Sequence, residues 1–267
     1  MKGRLPLFEH ALSSPTAFTP EALLDAVRAE RGISHEPIPE ICVLEFDGDL
    51  TDWLVSTSIA TPYKSWACFH TAMFSIEVDG VTCGIVPRTI GGPYSVLVAE
   101  QMAVSGARLV LGLTSAGRVT SAMPVPGLVA VKRAIRDEGT SYHYLKPTGS
   151  VGAPPRLASL LESELRTLPL PVVSGTVWTT DAPYRETAGQ LTNHAKAGVL
   201  AVEMQAASLF AFSRARRFPV GVVAHVTNSV AKTGKAFDKG ARELEFGILE
   251  AVCRTGKRFI ASTRGNG

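Results

Sequence analysis

Short apolar runs recur along this chain, and segments with helical spacing lie between them. EICVLEF (40–46), ARLVLGLTSAG (107–117), GLVAVKRAI (127–135), PVVSGTVWTTD (171–181) and FPVGVVAHVTN (218–228) each read as a buried strand. MFSIEVDGVTCGIVP (73–87) reads as a hairpin turning at Asp79-Gly80. The segments 91–106, 155–168, 200–216 and 240–262 carry helical periodicity. An early helix is started by Thr19 as its cap and Pro20 as its first residue. This alternation predicts an α/β fold, with a parallel or mixed sheet covered by helices on both faces.

The 267 residues are 45% hydrophobic and 19% charged, enough apolar content for one large core. With no repeat, low-complexity tract or linker, residues 1–267 read as a single domain. Residues 1–38 form an N-terminal arm and a short helix. A net charge of +3 without a basic run gives no case for nucleic-acid or membrane partners. No apolar run approaches the ~18 residues of a membrane span, and the first residues lack the apolar core of a signal peptide. Four cysteines without a CxxC pair fit a reduced, cytoplasmic protein. No His, Asp or Glu set has metal-ligand spacing, so no metal or other cofactor is expected.

In such sheets, sites collect where strands end. The polar strand ends are Thr114-Ser115, Thr179-Thr180-Asp181 and Thr227-Asn228-Ser229. In LAVEMQAASLFAFSRAR (200–216), Glu203, Met204 and Gln205 stand together among small and apolar neighbours. Two readings remain open from the residues alone. The polar pair caps a helix end through backbone groups, or it faces a ligand.

A glycine turn, TIGGP (89–93), is followed by LTSAG (113–117), GTVWTTDAPYRE (175–186), VEMQAA (202–207) and HVTN (225–228). This order resembles the nucleoside phosphorylase superfamily over about residues 40–250, and VEMQAA and WTTDAPYRET are its specific parts. The resemblance implies a three-layer phosphorylase/hydrolase-like fold, with a central twisted mixed sheet flanked by helices. It also implies homo-oligomers, dimeric or higher, and cleavage of the N-glycosidic bond of a nucleoside. The transition state of that reaction is oxocarbenium-like, so the sugar hydroxyls must be held and the departing base must receive a hydrogen bond.

By that resemblance Glu203, Gln205 and Asn228 are the candidate catalytic residues. Gln205 stands where the family has a glutamate that accepts bonds from ribose hydroxyls. An amide lacks the charge of that acceptor, at an expected cost of ~2–4 kcal/mol in transition-state binding. Asn228 stands where purine-specific relatives carry an aspartate; it can donate to the leaving base but has no titrating proton. Met204 is expected against the sugar and Trp178 against the base. Ile90 and Gly91 of the glycine turn, Thr114, Ser115, Arg88, His70, Arg185 and His143 complete the expected substrate site. Asp181 and Arg185 are candidates for a pair, His143 lies within SYHY, and His10 could reach across a dimer.

The phosphate signatures of the family are altered. Gly-Asp-Pro-x-Arg becomes Gly48-Asp49-Leu50-Thr51-Asp52, and the arginine preceding the Ser/Thr loop becomes Gly112. His70 stands near the position of a third arginine. Asp47, Asp49 and Asp52 would repel phosphate if they faced the site. Hydrolysis is therefore slightly favoured over phosphorolysis. The alternative is a phosphorylase, with phosphate as co-substrate, whose cradle is rebuilt from Arg88, Thr114, Ser115 and His70. An alternative of another class is a nucleoside-binding protein of weak catalytic power.

Overall fold

The computed structural model describes residues 5–9, 11–229 and 239–264. His10 lies outside them. Seven helices and a ten-stranded mixed sheet make up the described residues: α1 (Pro20–Arg31), β1 (Ile41–Glu45), α2 (Asp49–Ser56), β2 (Thr61–Pro62), β3 (Phe74–Val78), β4 (Val81–Pro87), α3 (Gly92–Val104), β5 (Leu109–Arg118), β6 (Gly127–Asp137), β7 (Ser150–Gly152), α4 (Pro155–Leu165), β8 (Val172–Thr180), α5 (Ala188–Lys196), β9 (Ala201–Glu203), α6 (Ala206–Arg216), β10 (Val220–Ser229) and α7 (Arg242–Arg264).

β1 lies parallel between β4 and β5, and all five of its residues are buried: the apolar run Ile41–Leu44, as such a strand requires, and Glu45 at its end. The hairpin of β3 and β4 turns at Asp79 and Gly80, both at positive φ, the geometry of a two-residue hairpin turn. β5 is the hub. It pairs with β1, with β10 and, at its end, with β9. β9 leads through β8 and β6 back to β10. The sheet thus folds back on itself, and the ends of β5, β8, β9 and β10 converge. Register sets Ser115 beside His225, Gly117 beside Asn228, and Thr179 beside Glu203.

One face of the sheet packs Val98, Met102, Phe210 and Phe212 from α3 and α6. The other packs Leu50, Leu54, Leu161 and Val252 from α2, α4 and α7. These are the three expected layers. α6 is buried from Ala206 through Ser213, so it shows no polar face there. α3 and α6 approach closely at Gly92, where a Cβ would sit 2.2 Å from Ser208 Oγ. In the N-terminal arm, Phe8 meets Tyr142 edge-on at 5.5 Å.

The segment 200–216 is not one helix. Ala201–Glu203 is a strand, paired with β8 and β5, and the helix begins only at Ala206. The carboxylate of Glu203 accepts the N–H groups of Gln205 and Ala206 at 2.7 and 2.8 Å, starting the helix from the strand end. No helix among the described residues is long and apolar enough to cross a membrane.

Candidate active site

At the converging strand ends lies a cavity of about 490 Å3. β5 contributes Thr114, Ser115 and Gly117 to its wall, and β10 contributes Asn228. The turn between β9 and α6 contributes Glu203, Met204 and Gln205, and the turn after β4 contributes Ile90. Seven of the residues singled out in the sequence therefore come together here. Asp47, just past β1, and Tyr184 and Glu186, just past β8, also line the cavity.

Gln205 is almost wholly buried. Its side-chain oxygen accepts the N–H of Met204 and the hydroxyl of Thr114, each at 3.2 Å. The backbone donor fixes which end of the amide is oxygen. With that oxygen engaged, the amide nitrogen is what Gln205 has to offer the cavity.

Glu203 is buried, and its carboxylate accepts the Thr179 hydroxyl as well as the two helix-start amides. Burial pushes its pKa up to about 7, against the lowering effect of those hydrogen bonds. Both readings made of this residue from sequence meet in one place, since it starts a helix and lines the cavity. Glu45 is built in the same way at α2. It accepts Gly48 N–H at 2.7 Å and the Thr51 amide and hydroxyl at 3.3 and 3.0 Å, and burial raises it to about 7.

Asp47 connects the cavity to a charged cluster. It accepts the Ser115 hydroxyl at 3.0 Å and the Lys239 ammonium at 2.7 Å. Lys239 also meets Asp49 at 2.8 Å, and Arg242 bridges Asp49 and Glu245 at 2.8 and 2.5 Å. Oxygens of Glu45, Asp47 and Asp49 lie within 4.8 Å of one another, close enough to share a metal ion. The cationic charge among them comes from Lys239 and Arg242.

Other residues singled out in the sequence stand elsewhere. The exposed guanidinium of Arg88 is paired with Asp52, the acid that occupies the signature's arginine position. Gly48 makes room for it. A Cβ there would meet Arg88 Cγ at 2.5 Å, and its φ of 93° is one glycine adopts without strain. Arg88 does not line the cavity, which corrects its expected place in a phosphate cradle. Trp178 is fully buried, donates from Nε1 to Asp137 at 2.9 Å and stacks on His194 at 4.4 Å. It too is absent from the cavity wall, because its strand position points it into the small core around Val199 and Val202. Asp181 accepts the Gly139 N–H at 2.8 Å rather than pairing with exposed Arg185. His143 is exposed in a 3-10 turn, His70 is exposed beside Phe69, and Gly91 caps α3; none of the three lines the cavity.

Of the three acids weighed as repelling phosphate, Asp47 is the one on the cavity wall. Glu186, which the sequence reading did not single out, lies inside the WTTDAPYRET motif beside Arg185. Lys239 carried no motif, and only the fold brings it to Asp47.

The family model of the phosphorylase superfamily matches residues 40–255. A guanosine phosphorylase of Halorubrum lacusprofundi is 28% identical over 166 residues, covering 60% of this chain and 67% of that protein. The matched region runs from β1 into the first part of α7 and includes every residue of the cavity wall, and the chain belongs to the phosphorylase superfamily.

Proposed function

We propose that this protein cleaves the N-glycosidic bond of a purine nucleoside with water as the nucleophile, releasing free base and free sugar. The observation that carries this reading is Asp47. A carboxylate bonded to Ser115 stands on the cavity wall where a phosphate cradle would need positive charge, and the nearby Arg88 is held by Asp52. A wall carboxylate repels a phosphate dianion but accepts a proton from water. As the water oxygen bonds to C1′, the C1′–N9 bond breaks and its electron pair leaves with the base. The water proton passes to Asp47. The Asn228 amide donates to the charge building on the base, and Met204 covers the sugar. Glu186 on the cavity wall offers carboxylate oxygens to a base edge that presents N–H donors, as guanine does.

A second reading, phosphorolysis, is favoured by the name of the Halorubrum relative and by Lys239, whose ammonium lies 2.7 Å from Asp47. In that reading Lys239 and Ser115 would receive phosphate. The two are separated by the rate of base release from guanosine, inosine, adenosine and uridine, with and without phosphate. Hydrolysis predicts equal rates in both. A requirement for phosphate would establish the second reading.

Tyr184, fully exposed, and Ile90, 54% exposed, both border the cavity mouth. Apolar groups so placed support a homo-oligomer in which a second copy covers the mouth. The four buried, unpaired cysteines support a reducing compartment such as the cytoplasm.

A further inference from the structure

A second cavity, of about 350 Å3, lies between one face of α1 and the turn that joins α3 to β5. α1 and the segment after it, which precede the residues matched by the family model, supply most of its wall. The backbone around it is pinned. Ile38 N–H donates to the Ser105 carbonyl at 2.9 Å. Pro37 packs so close to Gly106, at φ 115°, that a Cβ there would come within 2.9 Å of it. The Arg28 carbonyl accepts the N–H of Ile33 at 3.1 Å and that of left-handed Gly32, which ends α1.

Two buried polar groups on this wall have no hydrogen-bond partner among the described residues: Nε of Arg28 and the hydroxyl of Ser105. Their residues are only 8% and 6% exposed. Arg28 also forms no ion pair among the described residues. A guanidinium near a helix C-terminus ordinarily reaches into water. Arg31 does so, exposed and lying 4.5 Å over the Phe69 ring. Arg28 is instead held in the wall, and a donor so buried is costly unless a ligand supplies its acceptor. The rim has the opposite sign. Glu21, Asp25 and Glu36 line the same cavity and are exposed. One oxygen of Glu36 accepts the Ser65 hydroxyl at 3.0 Å, and Asp25 lies 4.0 Å from the exposed His35 ring. A simple anion would meet three carboxylates here, and a simple cation would leave Arg28 unpaired. A zwitterion satisfies both ends.

We propose that this cavity binds a free α-amino acid with an aliphatic side chain. Its carboxylate accepts from the Arg28 guanidinium and the Ser105 hydroxyl, one charged and one neutral donor for its two oxygens. Its ammonium turns to Asp25 and Glu36 at the rim. Its side chain lies on Leu24, Pro37 and Val104. The site shares no residue with the nucleoside cavity, so it stands or falls independently of the cleavage reading.

L-Leucine is titrated calorimetrically into the full-length wild type, Arg28→Met, Ser105→Ala and, in the nucleoside cavity, Met204→Ala. The expected result is saturable binding, weakened about ten-fold or more in Arg28→Met, the scale of one charged hydrogen bond. Binding should weaken several-fold in Ser105→Ala and stay within two-fold of wild type in Met204→Ala. Isocaproate, which lacks the amine of leucine, and isoamylamine, which lacks its carboxylate, should each bind at least ten-fold more weakly than leucine. Arg28→Met removes a buried charge without a partner, so its Tm without leucine should equal or exceed wild type. Should that variant fail to fold, Ser105→Ala and the two analogues carry the test. No binding at millimolar leucine, undiminished binding by the Arg28 and Ser105 variants, loss in Met204→Ala, or an analogue binding as tightly as leucine would each overturn the proposal. Nucleoside turnover of Ser105→Ala, measured without leucine, reports separately on the cleavage reading and should equal wild type.

Discussion

The hydroxyl of Thr114 donates to the side-chain oxygen of Gln205 at 3.2 Å, across 91 residues of sequence. That bond joins the end of β5 to the turn before α6 and orients the amide that faces the cavity. Replacing Gln205 by Glu puts a full charge opposite the developing oxocarbenium while keeping the Thr114 bond. The expected outcome is a rise in kcat/KM for ribonucleosides of about ten-fold or more, the scale of one electrostatic contact. Steady-state kinetics check it; an unchanged kcat/KM would mean that Gln205 does not reach the sugar.

Asp47→Asn keeps the shape and an acceptor for Ser115 but removes the base. The expected loss in kcat is about 10²–10⁴-fold, with KM altered only a few-fold. A carboxylate that merely anchors Lys239 would instead lower Tm and leave kcat in place.

The Arg88–Asp52 pair is exposed on both sides, with side chains 56% and 60% accessible. Such pairs contribute about 0–1 kcal/mol. Arg88 also holds a φ of 61°, which glycine tolerates better. Arg88→Gly should therefore leave turnover within two-fold and Tm nearly unchanged. A large loss of phosphate-dependent turnover would return Arg88 to the site.

Stability should fall as pH rises through neutrality. Glu203 is raised from an ordinary 4.5 to about 7 by burial, so the folded state prefers its protonated form. The stability this provides is complete below pH 4.5 and is lost as pH rises through 7, on the order of 3 kcal/mol at most. Glu203→Gln mimics the protonated acid. Its Tm relative to wild type should climb between pH 5 and pH 8, and a difference independent of pH would show that Glu203 titrates normally.

Trp178→Phe should leave KM for nucleosides within two-fold. It keeps the ring on His194 but drops the bond to Asp137, so Tm should fall by the equivalent of about 0.5–1.5 kcal/mol. A sharp rise in KM would place the indole against the base after all.

Fold class was legible because the buried strands are continuous apolar runs and most of the helices between them are capped or periodic. α2 was missed because Asp49–Ser56 carries its start signal in an acid three residues before Gly48, Glu45, rather than in an adjacent cap. α5 was missed although Thr187 and Gln190 form a capping box, since none of its residues is buried and it shows no apolar stripe. The strand at Ala201–Glu203 was hidden because three residues are too few to show alternation. Within the site, residues at strand ends were legible: Thr114, Ser115, Met204, Gln205 and Asn228 all reach the cavity. Side-chain direction was not. Trp178 and Arg88 lie in the right segments, and alternation along a strand and a left-handed backbone turn them away. The pairing of Lys239 with Asp47 depends on chain closure over 192 residues, which no local pattern encodes.

The most direct test of the central claim is the identity of the sugar product formed in saturating phosphate, read by phosphorus NMR and chromatography. The account predicts free sugar and no sugar 1-phosphate, with loss of both sugar and free base formation in Asp47→Asn. Sugar 1-phosphate accumulating in step with released base would contradict it and make phosphate, not water, the nucleophile.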